Sequence, residues 1–262
     1  MRVLFYGDSN TYGFDPRDPF EDRYPAAVRW TDRLAEMLKK SDLAEYDKRE
    51  PGQEAVSRAE SNRTATGQSA TGQADSSPAE TGQADSGQSA TGQDNPGRKE
   101  SCHTTWEVIA RGQNGRCVPV MPQMAGYIRN MIREVWPVDR FAVMLGTNDL
   151  LQTYRPDAAL PAAQMRQLLL FLQKEYPGME RLLIAPPLLF MGLGDGEFFR
   201  KSREESIKLT RLYERIAKET GSMFVDAGQW NIDLAADYVH FSETGHAQFA
   251  EQIAKYFKRH KN

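Results

Sequence analysis

The chain has 262 residues, is 40% hydrophobic and carries a formal net charge of -3. That length can bury a substantial core, and so balanced a charge gives no pull toward nucleic acid or an anionic membrane surface. Its two cysteines, Cys102 and Cys117, stand in unlike contexts and without metal-ligand spacing, which argues against a disulfide framework or a metal site. Met1-Arg2 leads straight into an apolar run, so no signal peptide is expected. No apolar run approaches the ~20 residues of a membrane span. The expectation is a cytoplasmic globular protein with no membrane association.

The first predicted element is a strand over 2–6 (RVLFY), broken at Gly7-Asp8-Ser9-Asn10. A serine there either caps a turn or is a nucleophile presented at a sheet edge. Trp30, Leu34, Met37 and Leu38 then mark a helical stripe. From about 47 to 101 the aromatic residues vanish and short units recur, SATGQ at 69–73 and 89–93, TGQADS at 71–76 and 81–86. Such a segment cannot bury enough apolar surface to offset its ordering entropy, so it reads as a disordered insertion. The flanking sequence is then one domain interrupted by a long loop, which closure entropy tolerates.

A second strand is predicted over 106–110 (WEVIA), followed by Arg111-Gly112-Gln113-Asn114-Gly115-Arg116. Residues 121–135 read as a helix with Met124, Ile128, Met131 and Ile132 inward. A third strand over 140–145 (RFAVML) runs into Gly146-Thr147-Asn148-Asp149. Next come a stripe from Met165 to Tyr176 closed by Pro177-Gly178, a strand over 181–186, a stripe from Leu209 to Ala217 and a strand over 223–226. Asp237-Tyr238-Val239-His240 precedes a last stripe from Phe249 to Phe257. Short apolar strands alternating with helices predict a doubly wound α/β sandwich on a parallel sheet. In such sheets, sites form beyond the carboxyl ends of the strands. All four polar clusters fall on that rim.

Acyl transfer needs a nucleophile, a base, a group to orient the base and donors for the developing oxyanion. Ser9 fits the first role and His240 the second. Asp237, three residues before the base, can bond its other ring nitrogen. The N–H groups of Ser9 and Gly115 and the amide of Asn148 are the oxyanion donors, with glycine at 115 letting the carbonyl oxygen come close. Taken singly, each cluster is equally a turn, a cap or a local hydrogen-bonded pair.

Together the four blocks strongly resemble the SGNH hydrolases, or GDSL-type esterases, named for the residues that stand here as Ser9, Gly115, Asn148 and His240. RYPAAVRW (23–30), GQNGR (112–116), MLGTND (144–149) and DYVHFSETGH (237–246) are similar to the arylesterase and acyltransferase branch. The resemblance implies a flavodoxin-like three-layer α/β/α sandwich with a five-stranded parallel sheet, a triad completed by Asp237, and self-association into a homo-oligomer. It also implies a small-molecule ester substrate and no cofactor. Two positions depart from the pattern. Asn10 replaces the leucine of the name-giving motif and reads as a variation that touches no catalytic role. Cys117-Val118 replaces a pair of threonines, which bears on the second-block pocket.

Tyr12, Trp30, Leu150, Phe190 and Tyr238 are candidates to line the acyl or alcohol pocket, and core packing explains Trp30 about as well. His246 reads as packing, His103 and His260 as surface, and Cys117 as a small apolar neighbour of the site. Deacetylation of sugars or thioester cleavage would use the same residues. A binding module that kept the fold without the chemistry is the competing class, disfavoured by the intact residue set. A nucleotide-binding flavodoxin-like protein would want a phosphate loop after the first strand, where acidic Asp8 fits poorly.

Overall fold

Five segments of the chain pair side by side in parallel: β1 (Arg2–Gly7), β2 (Glu107–Gly112), β3 (Arg140–Met144), β4 (Glu180–Ala185) and β5 (Met223–Asp226). Their order across the sheet is β2-β1-β3-β4-β5. The computed structural model describes residues 1–18, 22–47, 106–191, 194 and 196–260. Nearly all of the low-complexity segment expected at 47–101, with Cys102 and His103, therefore lies outside the described residues.

Period-two alternation splits each central strand between two cores. Leu4 and Tyr6, Phe141 and Val143, and Leu183 and Ala185 face one cluster. Val3 and Phe5, Ala142 and Met144, and Leu182 and Ile184 face the other. With both faces apolar, the strands read as unbroken hydrophobic runs in the sequence, as parallel strands must when helices cover both sides.

The first core is closed by α3 (Ala125–Glu134), α4 (Thr147–Leu151), α5 (Ala159–Glu175) and α6 (Glu197–Thr220), which contribute Ile128, Leu150, Leu169 and Tyr213 among others. The second is closed by α2 (Trp30–Asp47) and α7 (Glu243–Arg259), through Trp30, Leu34, Phe249, Ile253 and Phe257. A single turn, α1 (Ser9–Tyr12), follows β1. The layers and the sheet are those of the expected α/β/α sandwich. One detail differs. Met124 precedes the first turn of α3 and is more than a third exposed, because the helix starts four residues later than its apolar spacing implies.

The strand order reverses at β1 and β3: β1 leads to β2 on one side, and the chain returns to β3 on the other. Such a switch point opens a crevice between the loops leaving the two strands. Ser9 follows β1 and Asn148 follows β3, so both border it.

Close approach at this end of the sheet is possible because Gly7 and Gly112 pair in register. A Cβ at Gly112 would lie 2.1 Å from the backbone nitrogen of Tyr12 and 2.5 Å from the carbonyl carbon of Thr11. Glycine there lets α1 rest on the end of β2. Gly112→Ala is expected to destabilise the fold by roughly 1–3 kcal/mol, which lowers Tm by about 2–4 °C per kcal/mol in a domain of this size. Calorimetry on the two proteins checks this, and an unchanged Tm contradicts it.

Candidate active site

Ser9 is the first residue of α1, and Asp8 caps the turn by accepting the Asn10 N–H at 3.0 Å. The Ser9 N–H thus belongs to a helical N-terminus, where amide groups have no partner within the helix. The last β-to-α connection brings His240 over it, with Nε2 3.0 Å from Ser9 Oγ. Asp237 Oδ2 lies 2.6 Å from His240 Nδ1. Its Oδ1 accepts the N–H groups of Val239 and His240, each at 3.0 Å. The three-residue spacing has a plain cause: the carboxylate closes an Asx turn with one oxygen and holds the ring with the other.

Burial pushes Asp237 up, but the bonds from the His240 ring and from two N–H groups outweigh it and hold the carboxyl at about 2. At neutral pH it is an ionised acceptor, so Nδ1 carries a proton and donates. In the singly protonated imidazole Nε2 then has a lone pair and accepts the Ser9 hydroxyl proton. This is the orientation a general base requires.

The other two blocks are fastened to each other. Asn148 Nδ2 donates to the Arg116 carbonyl at 3.0 Å, and Gln152 Nε2 donates to the Gly115 carbonyl at 3.2 Å. Both carboxylate oxygens of Asp149 accept the Val118 N–H, at 3.3 and 3.1 Å. An amide nitrogen carries two hydrogens, so the bond to Arg116 orients Asn148 and leaves it a second hydrogen. Gly115 has φ of +71°, and a Cβ there would meet nothing within 4 Å. Within the described residues, then, its left-handed backbone and not crowding is what calls for glycine.

Arg116 ties this loop to the first strand. Its guanidinium donates to the Gly7 carbonyl at 2.7 Å and to the Arg111 carbonyl, and lies 4.3 Å over the Tyr6 ring. The sequence quotes Arg116 only as part of a block. Its partners are main-chain carbonyls, which no residue pattern announces. Phe14, with its ring centroid 4.6 Å from that of His240, was likewise invisible as a neighbour of the base. Asn10 makes contacts the sequence did not announce. Its side-chain amide bonds the main chain of Val239 and Phe241, the two residues flanking His240.

Of the pocket candidates, Trp30 and Leu150 are each 1% exposed and sit in the cores. Trp30 packs against Phe5 and Phe249 and donates its indole N–H to the Asn10 carbonyl at 2.9 Å. Its place is beneath the nucleophile turn. Tyr12 bonds Asp22 through its hydroxyl and lies under the Arg23 guanidinium. Phe190 and Tyr238 meet through a Phe190 N–H to Tyr238 carbonyl bond of 3.4 Å. Both have positive φ, at +52° and +57°, a strain that costs of order 1–3 kcal/mol for such residues.

His246 is buried, and its Nδ1 accepts the Trp30 N–H at 3.3 Å. Burial, with Arg33 and Arg29 nearby, lowers it to about 3, so it is a neutral packing group. His260 is exposed. Burial, then Asp149 and Asp8, push the Cys117 thiol up to about 11, so it is no nucleophile at neutral pH. It helps line a groove of about 530 Å³ with Val118, Val120, Met124 and Tyr127. A larger groove of about 1020 Å³ lies at the opposite end of the sheet, beside Trp136, Tyr176 and Met179, and is lined by none of the candidate site residues. Among the described residues, no group of three His, Cys, Asp or Glu side chains is placed to hold a metal ion. No described helix is long and apolar enough to cross a membrane.

The fold and the Ser-His-Asp contact define the class of SGNH-type α/β hydrolases. The sequence model of the GDSL-like lipase/acylhydrolase family matches residues 75–248. The chain belongs to that family, and so to the ester-hydrolysing enzymes. Ser9 lies outside the matched residues. Solved structures with the same fold include a carbohydrate acetylesterase from Sinorhizobium meliloti, 20% identical with a TM-score of 0.62 and 98% of each chain covered. An aryl esterase from M. smegmatis is 22% identical, with a TM-score of 0.60 and 98% of each chain covered. An acetyl-xylooligosaccharide esterase variant from Geobacillus stearmophilus is 18% identical, with a TM-score of 0.56, covering 97% of this chain and 92% of its own. No curated protein sequence matches.

Asp237 carries a pH prediction. Its folded value of about 2 lies below the ordinary aspartate value, about 4. The ionised group therefore adds stability above that ordinary value and loses it as pH falls toward the folded one. Asp237→Asn is expected to lower Tm at pH 5, and by progressively less as pH falls below about 4. Melting curves across that range check it. A deficit that stays constant to the acid limit contradicts it.

Proposed function

We propose that this protein is a serine esterase that hydrolyses small carboxylic esters, or transfers their acyl group, through Ser9, His240 and Asp237. The observation that carries the reading is the unbroken relay from Ser9 Oγ through both His240 nitrogens to Asp237, at 3.0 and 2.6 Å. Ser9 attacks the ester carbonyl while His240 Nε2 takes its proton, and Asp237 stabilises the imidazolium that forms. The N–H groups of Ser9 and Gly115 and the Asn148 amide receive the oxyanion. His240 then protonates the departing alcohol, which leaves an acyl-enzyme. Water, or a second alcohol, repeats the sequence in reverse. Phe14, whose ring centroid lies 4.6 Å from that of the base, supplies apolar surface for the bound ester. The reaction as written needs no cofactor.

A second reading keeps these residues and makes the leaving group a sugar hydroxyl. It is favoured by the carbohydrate acetylesterase and the acetyl-xylooligosaccharide esterase among the structures that share the fold.

The test is hydrolysis of p-nitrophenyl acetate and longer acyl homologues. Ser9→Ala should abolish turnover in a protein that still melts cooperatively. Asn148→Ala, which removes one oxyanion donor, should lower kcat by ~10²–10³. Equal rates for the wild type and Ser9→Ala would refute the serine mechanism. Comparing p-nitrophenyl acetate with an acetylated xylooligosaccharide separates the two substrate readings by kcat/KM.

A further inference from the structure

Asn10 is the position at which this chain departs from the leucine of the name-giving motif, and its amide spans two loops that are far apart in sequence. Nδ2 donates to the Val239 carbonyl at 3.1 Å, and Oδ1 accepts the Phe241 N–H at 2.9 Å. The Asn10 backbone is held as well, its N–H by Asp8 at 3.0 Å and its carbonyl by the Trp30 indole at 2.9 Å. The residue is 5% exposed. A planar amide thus meets the chain on both sides of His240, donor to acceptor and acceptor to donor, from the residue that follows Ser9. A leucine supplies neither bond.

We propose that Asn10 is a positioning residue that keeps His240 within reach of Ser9, and that it matters most once the acyl-enzyme has formed; this rests on the triad reading above. In the resting enzyme the Ser9 hydroxyl itself bonds His240. After acylation Ser9 Oγ is an ester oxygen with no hydrogen to donate, and that tie is gone. Asp237 orients the ring, but it sits in the same turn as His240 and cannot anchor that turn to the first strand. The Arg17–Glu243 ion pair does bridge the neighbouring loops at 2.7 Å, yet both side chains are more than half exposed, where such pairs contribute little. The Asn10 amide is a better shielded polar connection, its bond from the Phe241 N–H buried and that to Val239 partly so. With His240 held, Nε2 takes a proton from water, the water oxygen bonds the acyl carbon, and the carbon–Oγ bond breaks as the proton passes to Ser9. A free carboxylic acid and the starting enzyme result.

The experiment is stopped-flow hydrolysis of p-nitrophenyl acetate by the wild type, Asn10→Asp and Asn10→Leu, with melting curves on each. Asn10→Asp is nearly isosteric: it keeps an acceptor for Phe241 and loses the donor to Val239. The expected result is an initial burst of about one p-nitrophenol per chain, as acyl-enzyme accumulation gives. Steady-state kcat falls at least tenfold, about 1.4 kcal/mol, and KM falls with it. A general loosening of the fold would not spare acylation in this way. A folded Asn10→Asp with kcat within twofold of the wild type overturns the proposal, as does a raised KM with kcat unchanged. If neither variant folds, amide exchange in wild-type protein phosphonylated at Ser9 decides. Protection of the Phe241 N–H is expected, and exchange at open-loop rates overturns the clasp. A wild type with no Ser9-dependent turnover sinks the triad reading and this proposal together, whereas the preceding outcomes sink the clasp alone.

Discussion

Parallel pairing is the constraint from which the rest of this structure follows. Because β1 lies between β2 and β3 and every strand points the same way, all the carboxyl ends emerge on one rim. Helices then cover both faces, so each strand buries apolar side chains in both directions. Polar residues that cannot enter either core are left at the strand exits. The rim therefore collects Ser9, Gly115, Asn148 and His240 from four connections, although 231 residues separate the serine from its base.

Collecting charged groups at a half-buried rim has an electrostatic cost, and the residues distribute it unevenly. Burial raises Asp8 to about 6 against the opposing pull of the Asn10 N–H, His240 and Arg116. Burial likewise raises Asp149 to about 6 despite its bonds from the Val118 N–H. Only Asp237 has enough donors to sit at about 2. Among these carboxylates, the one that touches His240 holds its charge to the lowest pH, while Asp8 and Asp149 take up a proton far sooner on acidification. That separation follows from burial, far deeper at Asp8 than at Asp237, set against the number of donors around each group, and it places negative charge where an imidazolium will form.

Much of this was legible in the sequence, for identifiable reasons. The strands from Arg140 and Glu180 read as apolar runs because they are buried on both faces. Asp237 and His240 were readable as a pair because the Asx turn demands their spacing. What was hidden depends on contacts between distant main-chain groups. Arg116 reaches the carbonyls of Gly7 and Arg111, and Asn10 reaches Val239 and Phe241; a side chain that bonds backbone leaves no partner residue type to recognise. Trp30 suited both a pocket and the core, and the structure puts it in the core. Its size and polar edge suit a pocket, yet its indole N–H is satisfied by Asn10 inside the core. Met124 was placed inside a helix because apolar spacing continues past the true helix start, where no side chain caps the first turn.

The central claim is that His240 and Asp237 make Ser9 a nucleophile. Its most direct measurement is the rate of covalent modification by a serine-directed phosphonate, with the adduct mapped by mass spectrometry. The account predicts a single adduct on the peptide containing Ser9, formed rapidly in the wild type and orders of magnitude more slowly in a folded His240→Ala variant. An adduct elsewhere, or labelling of Ser9 at the same rate without His240, would contradict it.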